Sequence, residues 1–473
     1  MKKVLKGILS ITLCTVLFVV TFAFSAYDKF FEILGDDYKT AMASFALQGS
    51  SANEALSEDE VKKEIKEIRY IKTDGTIDTR TILICWPTSR EGDIPLVYIP
   101  HYTVEENTAD YVSYIKHGWA VASPYPFDNS YNGLLCTDDL VFNNAAMYTL
   151  RHMEGIDHQR IATVGGSAGG YMTLMINGLQ MGTVASIASA PIANAYFNAN
   201  VYFPACDEVN RNSGLFDLRM PIQCLVSESF QPANSIIGND IARWEAVSPI
   251  SMAKAYSNPL VMIHNTSDIL VPVDQITHKY TYAENDGSLP EGFNCHLGSD
   301  YPGILSKTFE EMANPDEITI NYTKYDDWVI EGELAYADTL ITININDDGA
   351  PTAKGSHSNP KLRGAWDIFP FIEEMMDKGL AETEKLVPEK LILLLERYQG
   401  KSIALPAFEG VDDSLYGSLV IYQKEVVDEM YVWMDNHSED EMNRAVLSAI
   451  DALVPETKKS AYLSAWEKIL ESK

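Results

Sequence analysis

The sequence has 473 residues, more than a single hydrophobic core usually spans, so it predicts one large domain with additions or two domains. Hydrophobic residues make up 46% and charged residues 22%, which excludes a disordered or fibrous chain. The formal net charge of −31 argues against nucleic-acid binding, because phosphates would be repelled and the chain lacks a basic face.

Residues 1–26 have the pattern of a secretory signal. Three lysines lie within the first six residues, an apolar run from Ile8 to Phe24 follows, and small residues end it. The run is also close to the length that spans a bilayer. We therefore expect cleavage after Ser25 or Ala26 and a secreted protein. Retention as a tether to the outer face of the membrane is the alternative.

The cysteine pattern indicates neither a metal site nor a disulfide framework. One of the six cysteines lies in the apolar run, and the others are scattered and form no C-x-x-C pair. No metal and no organic cofactor is implied. The remaining cysteines, which we expect to be buried as small apolar residues, are Cys85, Cys136, Cys206, Cys224 and Cys295.

From residue 66 to residue 380, short apolar segments alternate with helical patterns, after a polar lead-in over residues 27–65. Strands are predicted at Glu67–Lys72, Thr79–Trp86, Leu96–Ile99, Trp119–Ala122, Ile161–Val164, Val184–Ala188, Leu260–His264 and Thr339–Asn344. Helices are predicted at Ala109–Lys116, Asp138–Met153 and Ala168–Gln180. This alternation predicts an α/β fold with a mainly parallel sheet, flanked by helices and entered through an antiparallel pair.

Three further segments exceed what such a sheet needs. They are a cap at about residues 194–246, an insertion at about residues 277–340, and a helical C-terminal extension over residues 381–473. Helical patterns in the extension lie near Glu389–Tyr398, Leu415–Asn436 and Glu439–Ala452.

A glycine-rich motif, Gly165-Gly166-Ser167-Ala168-Gly169, follows a predicted buried strand and opens a helix. That context is the one a nucleophile elbow requires, with Ser167 in a strained turn above the sheet. The backbone N–H of Ala168 would then point toward a developing oxyanion. The alternative is a glycine-rich turn with an idle serine. A dinucleotide site is excluded, because the G-x-G-x-x-G spacing is absent.

A nucleophilic serine needs a base that is oriented by an acid, and after such an elbow the chain order is serine, acid, histidine. Asp268 falls just past a strand end and is the predicted acid, with Asp274 as its rival. His357 lies in a small-residue loop between a late strand and an aromatic helix and is the predicted base. The other histidines after Asp268 are less well placed: His278, His296 and His437.

Four more residues are predicted around this site. The backbone N–H of Tyr102, or its phenol, is the expected second oxyanion donor, because it follows the strand Leu96–Ile99. His101 either lines the substrate pocket or supports the turn from beside the site. Tyr196 and Phe197 of the cap either line the pocket or pack in the core.

These motifs resemble the catalytic domain of the prolyl oligopeptidase family and related esterases, within the α/β-hydrolases. The resemblance covers roughly residues 67–275 and resumes around His357. The segments that carry it are Asp93–Ile99, Asp157–Ala162, Gly165–Thr173, Ser248–Ile250 and Ile263–Pro272.

The resemblance implies an α/β-hydrolase fold and a triad of Ser167, Asp268 and His357. The chain departs from the family in three respects. The family's His-Gly-Gly oxyanion turn is replaced by Pro100-His101-Tyr102. The stretch between Asp268 and His357 is longer than usual. No β-propeller, which filters peptides in the family's peptidases, is expected before the hydrolase domain.

The predicted function is therefore a secreted serine hydrolase that cleaves carboxylic esters, either small molecules or polymer-borne, through an acyl-enzyme. A serine peptidase of the prolyl oligopeptidase type, dipeptidyl- or acylaminoacyl-peptidase-like, is the first alternative. A non-catalytic surface binding protein on a hydrolase scaffold is the second, and three well-placed triad residues argue against it.

Overall fold

The structure is a computed structural model, and the residues that it describes begin at residue 55. They are residues 55–89, 91–106, 108–205, 237–265, 268, 271–278, 297–298, 301–313, 338–343, 368–399, 426–427 and 430–472. The predicted signal segment, His357 and His296 lie outside these residues, as do Cys206, Cys224, Cys295 and parts of the predicted cap, insertion and extension. The predictions for them stay predictions.

An eight-stranded sheet with the order β1-β2-β4-β3-β5-β6-β7-β8 forms the centre of the fold. β1 pairs with β2, and β2 with β4, in antiparallel fashion, and all other neighbours are parallel. The strands are β1 (Val61–Ile71), β2 (Ile77–Pro87), β3 (Ile94–Tyr98), β4 (Ala120–Tyr125), β5 (Ile156–Gly166), β6 (Ala185–Ser189), β7 (Leu260–Asn265) and β8 (Asp338–Ile343). This sheet confirms the predicted α/β class.

The burial of each strand follows its position in the sheet. Every residue of β3 and β6 is buried, because helices cover both faces of the central strands. β1 lies at the sheet edge and begins at Val61, earlier than predicted. Its first half is rich in Lys and Glu, and Ile65 is 58% exposed, so the apolar signal of a strand is missing there. Pairing with β2 holds this half in place instead.

Helices cover the two faces of the sheet. The connection from β3 to β4 runs toward β1 along the sheet, whereas the connections from β4 to β5 and from β5 to β6 run toward β8. Because such connections are right-handed, α1 lies on one face of the sheet and α2 and α3 lie on the other. The helices are α1 (Ala109–Lys116), α2 (Asp138–Arg151), α3 (Ala168–Leu179), α4 (Ile241–Ala246), α5 (Phe309–Met312), α6 (Phe369–Lys378), α7 (Leu380–Thr383), α8 (Pro388–Tyr398), α9 (Glu439–Leu453) and α10 (Glu456–Glu471). In the part of the chain that the structure describes, no helix is long and apolar enough to cross a membrane.

The C-terminal helices share one hydrophobic cluster, to which Met181, just after α3, also belongs. The predictions for Glu389–Tyr398 and Glu439–Ala452 correspond to α8 and α9. α10 was not predicted as a separate helix, although its buried residues Tyr462, Trp466 and Ile469 have helical spacing. The C-terminal helices are therefore packed against the α/β domain through Met181.

Glu384, which follows α7, is a buried carboxyl group at this junction. It lies 3.3 Å from the backbone nitrogen of Gly182 and accepts a hydrogen bond of 3.2 Å from the Ser257 hydroxyl. Burial raises the pKa of Glu384 to about 7, although the charges of Lys390 and Arg151 act in the opposite direction. The folded protein therefore binds a proton here at pH values where an unfolded glutamate has lost it.

We predict that replacing Glu384 with Gln removes a pH-dependent loss of stability. The pKa is raised in the folded state, so the contribution of Glu384 is fully present below the unfolded value of about 4.3 and declines as the pH rises toward about 7. Urea unfolding at several pH values should show wild-type stability falling relative to Glu384→Gln across that window. Exposed Glu382, replaced with Gln, is the control and should leave the wild-type profile unchanged.

Candidate active site

Ser167 lies in a sharp turn between β5 and α3. Its backbone has φ 54° and ψ −119°, a conformation that costs a residue with a side chain about 1–3 kcal/mol. The N–H of Ser167 donates to the Ser189 carbonyl at 2.8 Å, and its own carbonyl accepts from the N–H of Tyr171 at 2.9 Å. The side chain is thus held where the strand ends and the helix begins, as the sequence predicts.

The glycines of the motif are required by the close approach of neighbouring segments. A Cβ atom on Gly165 would lie 2.3 Å from the Gly169 carbonyl oxygen. One on Gly169 would lie 3.0 Å from the Pro100 carbonyl oxygen and 3.4 Å from the Tyr102 ring. One on Gly170 would lie 3.0 Å from the Ser189 carbonyl oxygen. Gly165 therefore allows the close contact with α3, Gly169 the contact with the Pro100–Tyr102 turn, and Gly170 the contact with the end of β6.

Asp268 is fully buried just past the end of β7. One carboxylate oxygen accepts a hydrogen bond of 2.9 Å from the N–H of Val271. The other lies 3.7 Å from Nε2 of His264, and that nitrogen donates to the Val271 carbonyl at 2.8 Å. The rival acid Asp274 is buried in the short helix that follows. Asp268 is therefore held by a hydrogen bond from Val271 and lies beside His264.

The strand order brings Ser167 and Asp268 to the same edge of the sheet. β5 and β7 run parallel on either side of β6, so their carboxyl ends are about 10 Å apart. The N–H of Ala190 donates to the Ile263 carbonyl at 2.6 Å, which ties the end of β6 to β7. Ligands of parallel α/β sheets bind at this edge.

The predicted base, His357, follows β8, which is the next strand along the sheet. Its assignment stays a prediction. Two rival histidines lie within the described residues and are engaged elsewhere. His278 is half-exposed, 3.4 Å from the Glu311 carboxylate, and His437 stacks on Trp433 among the C-terminal helices.

The turn Pro100–Tyr102 packs against the first turn of α3, where Ala168 lies. The N–H of Tyr102 donates to the Pro100 carbonyl at 2.9 Å and closes a three-residue turn around His101. His101 has φ 71°, a left-handed conformation that most residues with a side chain avoid. The structure thus brings Tyr102, Ala168 and Ser167 together, and the oxyanion roles of Tyr102 and Ala168 stay predictions.

His101 is fully buried and is hydrogen-bonded through all of its polar nitrogens. Nδ1 lies 2.7 Å from an Asp139 carboxylate oxygen, and Nε2 lies 2.9 Å from Oδ1 of Asn132. Its backbone N–H donates to Oδ1 of Asn143 at 3.0 Å. These contacts favour the supporting alternative for His101, because they fix a strained turn from the side of α2.

Asp139 is the charged centre of this network. It lies in the first turn of α2, where a carboxylate is stabilised by the helix dipole, and Arg80 donates to it at 2.7 Å. Burial acts to raise the pKa of Asp139, but the charges of His101 and Arg80 outweigh burial and hold the pKa below its usual value. The contact between Asp139 and Arg80 joins residues 59 positions apart, so the sequence did not predict it.

Gln275 joins the loops after β6 and β7, and no local pattern in the sequence marks this role. Its Oε1 accepts hydrogen bonds from the N–H of Ala193, the N–H of Asn194 and Nδ2 of Asn198, at 2.8–2.9 Å. Gln275 is fully buried. It therefore fixes the start of the cap relative to the segment that carries Asp268.

Tyr196 and Phe197 begin the cap within a cluster of aromatic rings. The half-buried Tyr196 ring lies 6.1 Å from that of Trp244 and 6.3 Å from that of Tyr301. Phe197 is fully buried, 6.0 Å from Tyr202 and 6.2 Å from Tyr301. Packing therefore accounts for Phe197, and a pocket role for either ring stays a prediction. Among the described residues, no group of three or more His, Cys, Asp or Glu side chains could hold a metal ion.

Comparison with known proteins agrees with this fold. Residues 104–281 match the family model described as BD-FAE, an α/β-hydrolase-type esterase family. The solved structures that this chain resembles include a puromycin hydrolase (12% identity, TM-score 0.41, covering 69% of this chain and 41% of that one). A comparison with curated protein sequences finds no match.

Two further structural relatives are peptidases. Prolyl oligopeptidase B from Galerina marginata has 12% identity and a TM-score of 0.41, and the match covers 68% of this chain and 38% of that one. The Pyrococcus horikoshii acylaminoacyl peptidase has 15% identity and a TM-score of 0.38, with 66% of this chain and 42% of that one covered. This chain therefore spans about two fifths of the length of these relatives. The match of residues 104–281 to the esterase family confirms the predicted resemblance to the α/β-hydrolases.

We predict that Gly165→Ala destabilises the protein and slows any reaction of Ser167. The new methyl group meets a backbone oxygen at 2.3 Å, so β5 and α3 must separate, at a cost of about 1–3 kcal/mol. Gly118→Ala is the matched control, since Gly118 has φ 86° but open space around its Cβ position. Both variants should lower the free energy of unfolding, and only Gly165→Ala should change Ser167 reactivity. Equal reactivity of the two would contradict this account of the turn.

We also predict that Asp139→Asn costs about 3–5 kcal/mol, because Asp139 is fully buried and its loss leaves the Arg80 side chain, which is 9% exposed, without its charged partner. Asp157→Asn, which removes the more exposed ion pair with Arg160, is the control and should cost no more than about 1 kcal/mol. Urea denaturation at pH 7 measures both. Similar losses for the two variants would show that the Asp139 network does not support the turn.

Proposed function

We propose that this chain, in which residues 104–281 match an α/β-hydrolase-type esterase family, cleaves carboxylic esters through a Ser167–His357–Asp268 triad. Ser167 Oγ attacks the acyl carbonyl carbon while His357 takes its proton. Asp268 orients His357 and stabilises its positive charge. The tetrahedral intermediate collapses to an acyl-enzyme when the C–O bond of the alcohol breaks, and His357 returns the proton to the departing alcohol. A water molecule then attacks the acyl-enzyme while His357 takes its proton. The bond to Ser167 Oγ breaks, His357 returns the proton to that oxygen, and the carboxylic acid is released.

The observation that carries this proposal is the backbone of Ser167. A φ of 54° is a strained backbone conformation for a residue with a side chain. The fold maintains it through the close contacts that three neighbouring glycines allow. An idle serine would gain nothing from this strain. The first N–H groups of α3 have no partner within the helix, so the N–H of Ala168 is available to an oxyanion on the Ser167 side.

The preference for esters is supported by the match of residues 104–281 to an esterase family. We further propose that the substrate is a small-molecule or polymer-borne ester encountered outside the cell. The basic and apolar segment at residues 2–24 supports secretion, or tethering to the outer membrane face. The chain needs no metal or organic cofactor for this chemistry.

A fluorophosphonate probe tests the central step, because it reacts with an activated serine to form a stable adduct. We expect the wild-type chain to be labelled and Ser167→Ala to be unlabelled. Asp268→Asn and His357→Ala should each slow ester hydrolysis by at least about a thousandfold, mainly through kcat. His278→Ala is the matched control and should retain wild-type rates. Equal labelling of wild type and Ser167→Ala would refute the proposal.

A second assay separates ester from peptide substrates. Rates are measured with nitrophenyl esters of different acyl length and with aminoacyl and prolyl anilides of the same leaving-group type. Each rate is divided by the uncatalysed rate of its substrate. We expect the larger acceleration for the esters. A larger acceleration for the anilides would assign the same residues to a peptidase.

A further inference from the structure

Helix α3, which begins directly after Ser167, is completely enclosed by protein. All twelve of its residues are buried, including both ends. A helix leaves its first N–H groups and its last carbonyl groups without partners inside the helix, and here neither end can turn to water. The N–H groups face the proposed oxyanion site. The carbonyl groups at the other end therefore need donors from elsewhere in the protein.

Those donors come from the C-terminal extension. The Lys390 ammonium donates to the carbonyls of Asn177 and Gln180, the latter at 2.8 Å. The Arg397 guanidinium donates to the Leu179 carbonyl at 2.6 Å. Both cations project from α8, and both are buried. Two positive charges at the carboxyl end of α3 also complement the negative end of its dipole.

Further contacts hold α8 in this position. Glu384, just before α8, approaches the backbone nitrogen of Gly182 at 3.3 Å, and the charge of Lys390 acts to lower the pKa of Glu384. The Leu391, Leu394 and Leu395 side chains belong to the hydrophobic cluster that also contains Met181. The segment that follows α3 is thus held on two sides by the extension, through charge and through apolar packing.

We propose that Lys390 and Arg397 are positioning residues for Ser167, which makes the C-terminal extension a brace for the nucleophile helix. α3 is about 18 Å long and rigid, so a change at its carboxyl end moves its amino end, where Ser167 and the N–H of Ala168 must keep their geometry. A displacement of about 1 Å there can slow a reaction a hundredfold. The consequence for the reaction rests on the proposed function, while the mechanical role of the brace does not.

Hydrogen exchange tests the brace without any need for activity. Lys390→Met removes two of the three bonds and keeps most of the apolar stem of the side chain. We expect faster exchange at the first turn of α3 (residues 168–172) as well as at residues 177–182, by at least about tenfold at pH 6. At that pH Glu384, with its pKa of about 7, is protonated, so the variant does not leave a buried charge unpaired. Lys378→Met, a surface lysine paired with Glu374, is the matched control.

Kinetics test the consequence for Ser167. Active sites are counted by fluorophosphonate titration, so the rate per labelled site is independent of any unfolded fraction. We expect Lys390→Met to lower kcat per site by about tenfold or more with KM within twofold, and Lys390→Arg to restore it. Should Lys390→Met fail to fold, Arg397→Met, which removes one bond, decides by the same two measurements.

Two results would overturn the proposal. One is unchanged exchange in the first turn of α3 with faster exchange confined to residues 177–182. The other is a wild-type rate per labelled site in a folded variant. Failure of the proposed function is recognised separately, since wild type and Ser167→Ala would then be labelled alike while the exchange measurement still tests the brace.

Discussion

The backbone of Ser167 stays at φ 54° because β6, α3 and the Pro100–Tyr102 turn all contact the turn that contains it. The Ser189 carbonyl accepts the N–H of Ser167, which ties the turn to β6. The Pro100 carbonyl and the Tyr102 ring approach Gly169 so closely that a side chain there would collide with them. The strained conformation is stable only while β6, α3 and the Pro100–Tyr102 turn keep these distances. The contacts described below hold these three segments at those distances.

Two buried polar networks stabilise opposite sides of this arrangement. On one side, Asp139 at the amino end of α2 pairs with Arg80 and His101 and holds the left-handed backbone of His101. On the other, Lys390 and Arg397 of α8 satisfy the carboxyl end of α3. Both networks place a charge at the helix end of opposite polarity, where it is stabilised by the dipole as well as by hydrogen bonds. Buried charges are costly when unpaired, so these networks tolerate few substitutions.

Much of the fold could be predicted because its signals are local. Strands β2, β3, β6, β7 and β8 and the helices α1 and α3 were recognised within two residues at each end, since apolar runs and helical periodicity survive in the sequence. β4 ends three residues later than predicted, at Tyr125, and β5 begins five residues earlier, at Ile156. The first half of β1 was missed because an edge strand carries charged residues. α10 was missed although Tyr462 and Ile469 are correctly spaced. Of the candidate site, the elbow around Ser167 was the most predictable part, because its glycines and serine are consecutive.

The sequence by itself therefore determined the order of elements, the elbow at Ser167 and the strand end that precedes Asp268. Only the tertiary structure decided that His101 is fixed by Asp139 and Asn143, that Gln275 joins two loops, and that Lys390 reaches α3. The physical reason is the range of the interactions. A turn or a helix depends on neighbouring residues, whereas a buried hydrogen bond joins segments that are distant in sequence. Lys390 and Gln180, for example, are 210 residues apart.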